Sequence, residues 1–183
     1  IFNISMNPFY ILNSTLFIPK VKETMNLKSV YDIKINSLQG RPIDLKQFKG
    51  KFILFVNVAS KCGFTPQYRD LQNLHEAYGN RLQVIGLPCN QFGAQETGNA
   101  NEIESFCEVN YGVSFLITEK IDVKGKNQHP IYKWLTNKTE NGVSNSTVKW
   151  NFQKYLVSEE GKFADYYYST TNPMNKKIIK HLK

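Results

Sequence analysis

The sequence predicts an α/β fold with one central mixed β-sheet flanked by helices and preceded by an N-terminal β-hairpin. Three observations predict it. Residues 52–59 (FILFVNVA) and 82–87 (LQVIGL) are mostly apolar runs of the length of buried strands. Between them Tyr68, Leu71, Leu74 and Tyr78 recur at helical spacing. Strand, helix, strand is a βαβ unit, which joins parallel strands. Further on, residues 149–158 and 163–169 flank the turn Glu159-Glu160-Gly161-Lys162, which reads as an antiparallel hairpin.

Taken in order, residues 1–24 mix apolar residues with Asn, Ser and Pro and show no clear period. They lack the basic start and small-residue cleavage site of a signal peptide. They read as a poorly ordered extension, with organelle targeting as the sharper alternative. A single domain is expected over residues 25–183, beginning at Met25. Tyr31, Ile33 and Ile35 alternate, Gly40 marks a turn, and Ile43 and Leu45 follow, as in a hairpin. Thr65-Pro66 supplies an N-cap and a first helical proline for the crossover helix, and Gly79 its C-cap. Asn99 and Glu102 have capping-box spacing and open a helix through Cys107. Residues 114–123 read as a strand, and Ile131, Trp134 and Leu135 as one face of a short helix. Asn172-Pro173 is expected to open a last helix with Ile178, Ile179 and Leu182 inward. The order βαβ then ββα is the thioredoxin-like arrangement.

Composition narrows the function. Apolar residues make up 41% and charged residues 21% of the 183 positions, ordinary values for a soluble domain. No apolar run reaches the roughly 20 residues of a membrane span. The net charge of +8 is carried by scattered lysines with only three arginines. The nearest cluster, Lys176, Lys177, Lys180 and Lys183, fits a solvated helix end, so nucleic-acid binding is set aside; a positive field would still help an acidic partner dock. Three widely spaced cysteines do not make a secreted disulfide framework. They fit a reducing, cytoplasmic setting. Neither they nor His75, His129 and His181 have the close spacing of a zinc site, and no cofactor is implied.

Cys62 carries the chemistry. It follows a buried strand and precedes a helix, where free N–H groups and the helix dipole favour an anion. Lys61 adds a positive charge beside it, and the thiolate is the reactive form of cysteine. The plainer reading is a buried structural cysteine, which the strand-to-helix position argues against. Dithiol exchange within the turn is excluded, because Cys62-Gly63-Phe64-Thr65 has threonine where Cys-x-x-Cys needs its second sulfur. The peroxiredoxin pattern is absent too, since Phe55 and Ala59 stand where that family has proline and threonine.

Three segments resemble the glutathione peroxidase family. Asn57-Val58-Ala59-Ser60-Lys61-Cys62-Gly63-Phe64-Thr65 is similar to its nucleophile segment. Pro88-Cys89-Asn90-Gln91-Phe92-Gly93-Ala94-Gln95-Glu96 is similar to the second signature, and Lys149-Trp150-Asn151-Phe152 to the third. They occur in the family's order, and the likeness runs from about Met25 to the end. The resemblance implies a thiol peroxidase with a catalytic tetrad of Cys62, Gln95, Trp150 and Asn151. Two amides and an indole N–H would orient a peroxide and stabilise charge moving from sulfur to the leaving oxygen. Apart from the resemblance, Trp150 reads as core packing and the two amides as loop caps.

With cysteine in place of the selenocysteine of some members, oxidised Cys62 would be a sulfenic acid that condenses with a second thiol. Residues 105–112 resemble the resolving segment of thioredoxin-dependent members, which makes Cys107 the resolving cysteine; Cys89 reads as packing. Thioredoxin is then the implied reductant, with glutathione a second option that lacks an arginine cluster to grip it. The substrates implied are hydrogen peroxide and organic or lipid hydroperoxides. The stretch between Trp134 and Trp150 lacks the longer insertion that tetrameric members of that family use for assembly, so the resemblance implies a monomer. A peroxide sensor or redox relay that passes oxidation to a partner protein would use the same residues.

Overall fold

The computed structural model describes residues 29–183. The 1–24 extension and the first four residues of the expected domain lie outside them. A five-stranded sheet forms the centre, in the order β5-β4-β3-β6-β7. Strands β3 (Phe52–Val58) and β4 (Leu82–Pro88) pair in parallel, and β5 (Leu116–Ile117) is parallel to β4. Strands β6 (Lys154–Val157) and β7 (Phe163–Tyr167) are antiparallel to each other, and β6 is antiparallel to β3. The sheet is mixed and flanked by helices, as the sequence predicts.

Alternation along β3 divides the core. Ile53 and Phe55 face one cluster with Ile85, Leu87, Tyr132 and Tyr155. Leu54, Val56 and Val58 face the other, with Tyr68, Leu71 and Leu74 of helix α1 (Gln67–Tyr78) and Ile103 and Cys107 of helix α2 (Ala100–Tyr111). Side chains one apart on a strand point to opposite faces, so a strand covered on both sides reads as the continuous apolar run seen in the sequence. Helix α3 (Pro130–Thr136) places Ile131, Trp134 and Leu135 in the first cluster.

Several boundaries differ from the sequence reading, each for a local reason. The N-terminal hairpin is cut to β1 (Ile35–Asn36) and β2 (Pro42–Ile43), because Val30–Asp32 and Leu45–Phe48 close into 3₁₀ turns capped by Ser29 and Asp44. Residues 114–123 contribute only the two-residue β5. The chain then keeps isolated contacts, such as Ile121 N–H to Pro88 O at 3.0 Å, as it leaves the sheet edge. Strand β6 starts at Lys154 rather than 149, since Asn151 and Phe152 form a turn. The last helix, α5 (Lys176–Ile179), follows the short α4 (Lys138–Asn141) and is capped by Asn175, three residues beyond Asn172. Ile178 and Leu182 are buried as expected. Among the described residues no helix is long and apolar enough to cross a membrane.

Candidate active site

Cys62 lies in the turn between β3 and α1, 9% exposed. The turn is closed by Thr65. Its hydroxyl donates to Ala59 O at 2.8 Å and accepts the Cys62 N–H at 2.9 Å, while its own N–H reaches Cys62 O at 3.0 Å. Thr65 is therefore not the helix cap expected of it. Pro66 takes that position without a side-chain bond, and α1 starts at Gln67. Gly79 is the C-cap as expected, with a right-handed φ of −56°. The Phe64 N–H points at the sulfur, 3.4 Å from Cys62 Sγ. Lys61, next in sequence to the cysteine, hydrogen-bonds Thr97 Oγ1 with its ammonium at 3.3 Å.

Two distant segments meet this turn. The Lys61 N–H donates to Gln95 O at 3.0 Å, which ties the 89–96 loop to the residue preceding Cys62. The Gln95 side chain then accepts from Asn151 Nδ2 at 3.0 Å, joining residues far apart in sequence. Asn151 is fully buried. Asn57, the polar residue inside β3, holds the third segment in place. Its Nδ2 donates to Trp150 O at 3.0 Å and its carbonyl accepts the Phe152 N–H at 2.6 Å. The Trp150 ring is partly exposed and leans on Phe92, with centroids 5.7 Å apart.

Among the described residues the non-glycine positions with positive φ are Ala94, at 50°, and Phe152, at 63°. One precedes Gln95 and the other follows Asn151. Such backbone costs on the order of 1–3 kcal/mol per residue and persists where the surroundings hold it. Here it turns the two amides toward each other. Asn57 had a signal in the sequence, an amide in the middle of an apolar strand. Thr65, Ala94 and Phe152 lie in the three segments singled out above, but their roles as brace and strained corners depend on contacts that only the fold brings together.

All three cysteines are free thiols. Cys62 and Cys107 share one core cluster, whereas Cys89 belongs to the cluster across the sheet. Cys107 is 2% exposed, and burial chiefly pushes its thiol up to about 11, with the Glu96 carboxylate adding to the rise and Tyr68 opposing it. Burial also raises Cys89. Glu96 is 1% exposed and accepts from Ser60 Oγ at 2.8 Å. A cavity of about 510 Å³ opens between the Cys62 turn and α2, lined by Ser60, Lys61, Glu96, Glu102, Ile103 and Phe106.

A parallel strand pair with a thiol in its crossover turn, extended by an antiparallel hairpin, defines a thioredoxin-fold thiol protein. Solved structures agree at the level of fold: a secreted Mycobacterium tuberculosis disulfide oxidoreductase aligns over 81% of this chain and 91% of its own, with TM-score 0.54 at 15% identity. The glutathione peroxidase family model matches residues 30–136, a span that holds Cys62, Gln95 and Cys107 and ends before Trp150. The glutathione peroxidase-like peroxiredoxin HYR1 of Saccharomyces cerevisiae is 49% identical over 136 residues, 74% of this chain and 83% of the relative. The hydroperoxy fatty acid reductase gpx1 of Synechocystis is 45% identical over 151 residues, 79% and 89% of the two chains. The crystal structure of Trgpx in apo form superposes with TM-score 0.65 at 38% identity, over 85% of this chain and 95% of that one. The chain belongs to the glutathione peroxidase family. It is a peroxidase, of the type with cysteine rather than selenocysteine in the strand-to-helix turn.

Proposed function

We propose that this peroxidase reduces hydrogen peroxide and organic or lipid hydroperoxides through Cys62, with Gln95, Trp150 and Asn151 completing a catalytic tetrad. The observation that carries the assignment is the amide pair of Asn151 and Gln95, joined at 3.0 Å and tied to the Cys62 turn through Lys61. The Cys62 thiolate attacks one peroxide oxygen, and the O–O bond breaks. The other oxygen leaves with a proton as water or alcohol, and Cys62 becomes a sulfenic acid. In this reading the neutral donors of Gln95, Trp150 and Asn151 stabilise the charge passing to the leaving oxygen and bring no competing titratable group. Cys107 then condenses with the sulfenic acid, and thioredoxin reduces the resulting disulfide by thiol–disulfide exchange. That Cys107 shares the cluster of Cys62 and Cys89 does not supports this pairing. The enzyme works as a cytoplasmic monomer in this reading, and the domain starts at Met25, so removal of residues 1–24 leaves turnover unchanged.

A coupled assay run in parallel with thioredoxin and with glutathione tests the reading. Thioredoxin supports sustained turnover, and Cys107→Ser abolishes that turnover while leaving one oxidation per Cys62. Turnover with glutathione alone, or thioredoxin-linked turnover that survives Cys107→Ser, overturns it.

A further inference from the structure

Condensation with a sulfenic acid needs the second thiol as a thiolate, and Cys107 is a buried thiol on which, among the described residues, no cation acts to make it one. The polar groups that act on the thiol are the Tyr68 phenol and the Glu96 carboxyl group, while Glu104 and Glu108 line a separate surface cavity that Cys107 borders. Tyr68 of α1, fully buried, lies beside the thiol, and its hydroxyl, whose one polar neighbour there is the sulfur, favours the thiolate. Glu96 is buried on the same side, and only one of its oxygens is satisfied. Oε1 accepts from Ser60, two residues before Cys62, while Oε2 is buried without a partner. A buried carboxylate oxygen without a protein partner is costly, and here it borders the cavity between the Cys62 turn and α2, where it is free to take a proton. The Glu96 backbone N–H is fixed by Asn90 Oδ1 at 2.9 Å. The cavity it lines continues along Ile103 and Phe106, on the helix that carries Cys107.

We propose that Glu96 is the proton-transfer residue of the resolving step, accepting the thiol proton of Cys107 and returning it to the oxygen that leaves Cys62. The inference rests on the assignment of Cys107 as resolving cysteine. In the step, a sulfur–sulfur bond forms between Cys62 and Cys107, and the sulfur–oxygen bond of the sulfenic acid breaks. The Cys107 proton moves to the Glu96 carboxylate. A proton from Glu96 joins the departing hydroxyl, which leaves as water. Glu96 ends as it began, and no outside oxidant or reductant is consumed. Its placement suits both halves of the transfer, with Ser60 on the Cys62 side and α2 on the other.

The groups facing it set its charge. Ser60 and Lys61 come from the turn after β3 and Lys120 from the segment after β5, and all three favour the carboxylate. Burial is the larger influence and raises Glu96 above the ordinary carboxylate range. Tyr68 and Cys107 face it from α1 and α2, and Glu102 of α2 lines the same cavity. A raised carboxyl is closer to neutrality, where a group both takes and gives a proton readily.

The test follows the two oxidation steps separately after one equivalent of peroxide, with acid-quenched samples mapped for Cys62 sulfenic acid and for the Cys62–Cys107 bond. Glu96→Gln slows disulfide formation by about 10²-fold, the scale of a lost acid–base group, and slows sulfenic acid formation far less. In the native enzyme the rate of disulfide formation levels off once Glu96 is ionised. In Glu96→Gln it climbs about tenfold per pH unit, following the free thiolate alone. Glu96→Asp, which keeps a carboxylate, restores the levelling. If Glu96→Gln does not fold, Ser60→Ala decides, since loss of the Ser60 bond to the carboxylate moves the levelling point to higher pH. Disulfide formation in Glu96→Gln at the native rate and with the native pH profile, or an unmoved profile in Ser60→Ala, overturns the proposal. Absence of any Cys62–Cys107 bond in the native enzyme overturns it by a different route, together with the assignment of Cys107.

Discussion

The two thiols are held by opposite means. Cys62 sits in a turn closed on itself by Thr65 and tied through Lys61 to the loop bearing Gln95. The strand before it is buried along nearly its whole length. Cys107 sits on α2, a surface helix whose fully buried side chains are Ile103 and Cys107 alone, with Phe106 and Tyr111 half-buried beside them. Val109 on the same helix is 78% exposed. A nucleophile that must meet a peroxide in one geometry gains from the first kind of anchoring. In the proposed mechanism Cys107 travels to Cys62 and gains from the second, because a helix held by a narrow apolar stripe opens at a fraction of the global unfolding cost. A disulfide requires Cα atoms within about 7 Å, and two thiols anchored on separate packed elements reach that by movement of the looser one.

The sharpest way to break this contrast is to remove each sulfur in turn. Cys62→Ser abolishes peroxide reduction, whereas Cys89→Ser, across the sheet, keeps most of it; steady-state turnover with thioredoxin checks both. Substantial activity in Cys62→Ser protein would end the mechanism.

The next effect concerns the rigid side alone. Gln95→Ala, Asn151→Ala and Trp150→Phe each slow the first oxidation of Cys62, by on the order of 10²–10³ for loss of one aimed donor. Single-turnover stopped-flow measures it, and native rates in all three would show that the amides only fasten loops together.

The mobile side is tested by hydrogen exchange. Residues 99–112 exchange faster in the oxidised protein than in the reduced one, by about tenfold or more for a locally opened unit, while the β3 segment is unchanged. Equal protection of α2 in both forms would remove the contrast.

The smallest effect lies in the Thr65 brace. Thr65→Val leaves the Cys62 N–H and Ala59 O without their buried partner and lowers stability by about 1–3 kcal/mol. Thr65→Ser recovers most of the loss. Urea unfolding measures both, and a neutral Thr65→Val would mean the turn is held from elsewhere.

The capping box that opens α2 stands where the sequence places it, and the helix runs on past Cys107 to Tyr111. Asn99, Asn110 and Gly112 look like poor helix formers. In the fold each reinforces the helix. Asn99 and Glu102 form the capping box, Asn110 Nδ2 bonds Phe106 O at 2.8 Å, and Gly112 takes a left-handed φ of 61° to close the C-terminus. Its weakness lies instead in how little of its surface the core covers.

By itself the sequence determined the sheet, the crossover and the position of Cys62 between them. Those follow from apolar runs and helical spacing, which are local properties of the chain. The signature segments likewise pointed to Gln95, Trp150, Asn151 and Cys107 before any of them had a place. Only the tertiary structure decided which of these meet. It joined Asn151 to Gln95, set Cys89 on the far face from Cys62, made Thr65 a brace rather than a cap, and buried Glu96 between the two thiols' elements. The physical reason is that an amide, a hydroxyl or a carboxyl group takes its role from the partner it finds. Those partners lie on segments that the chain brings together only when the sheet has formed.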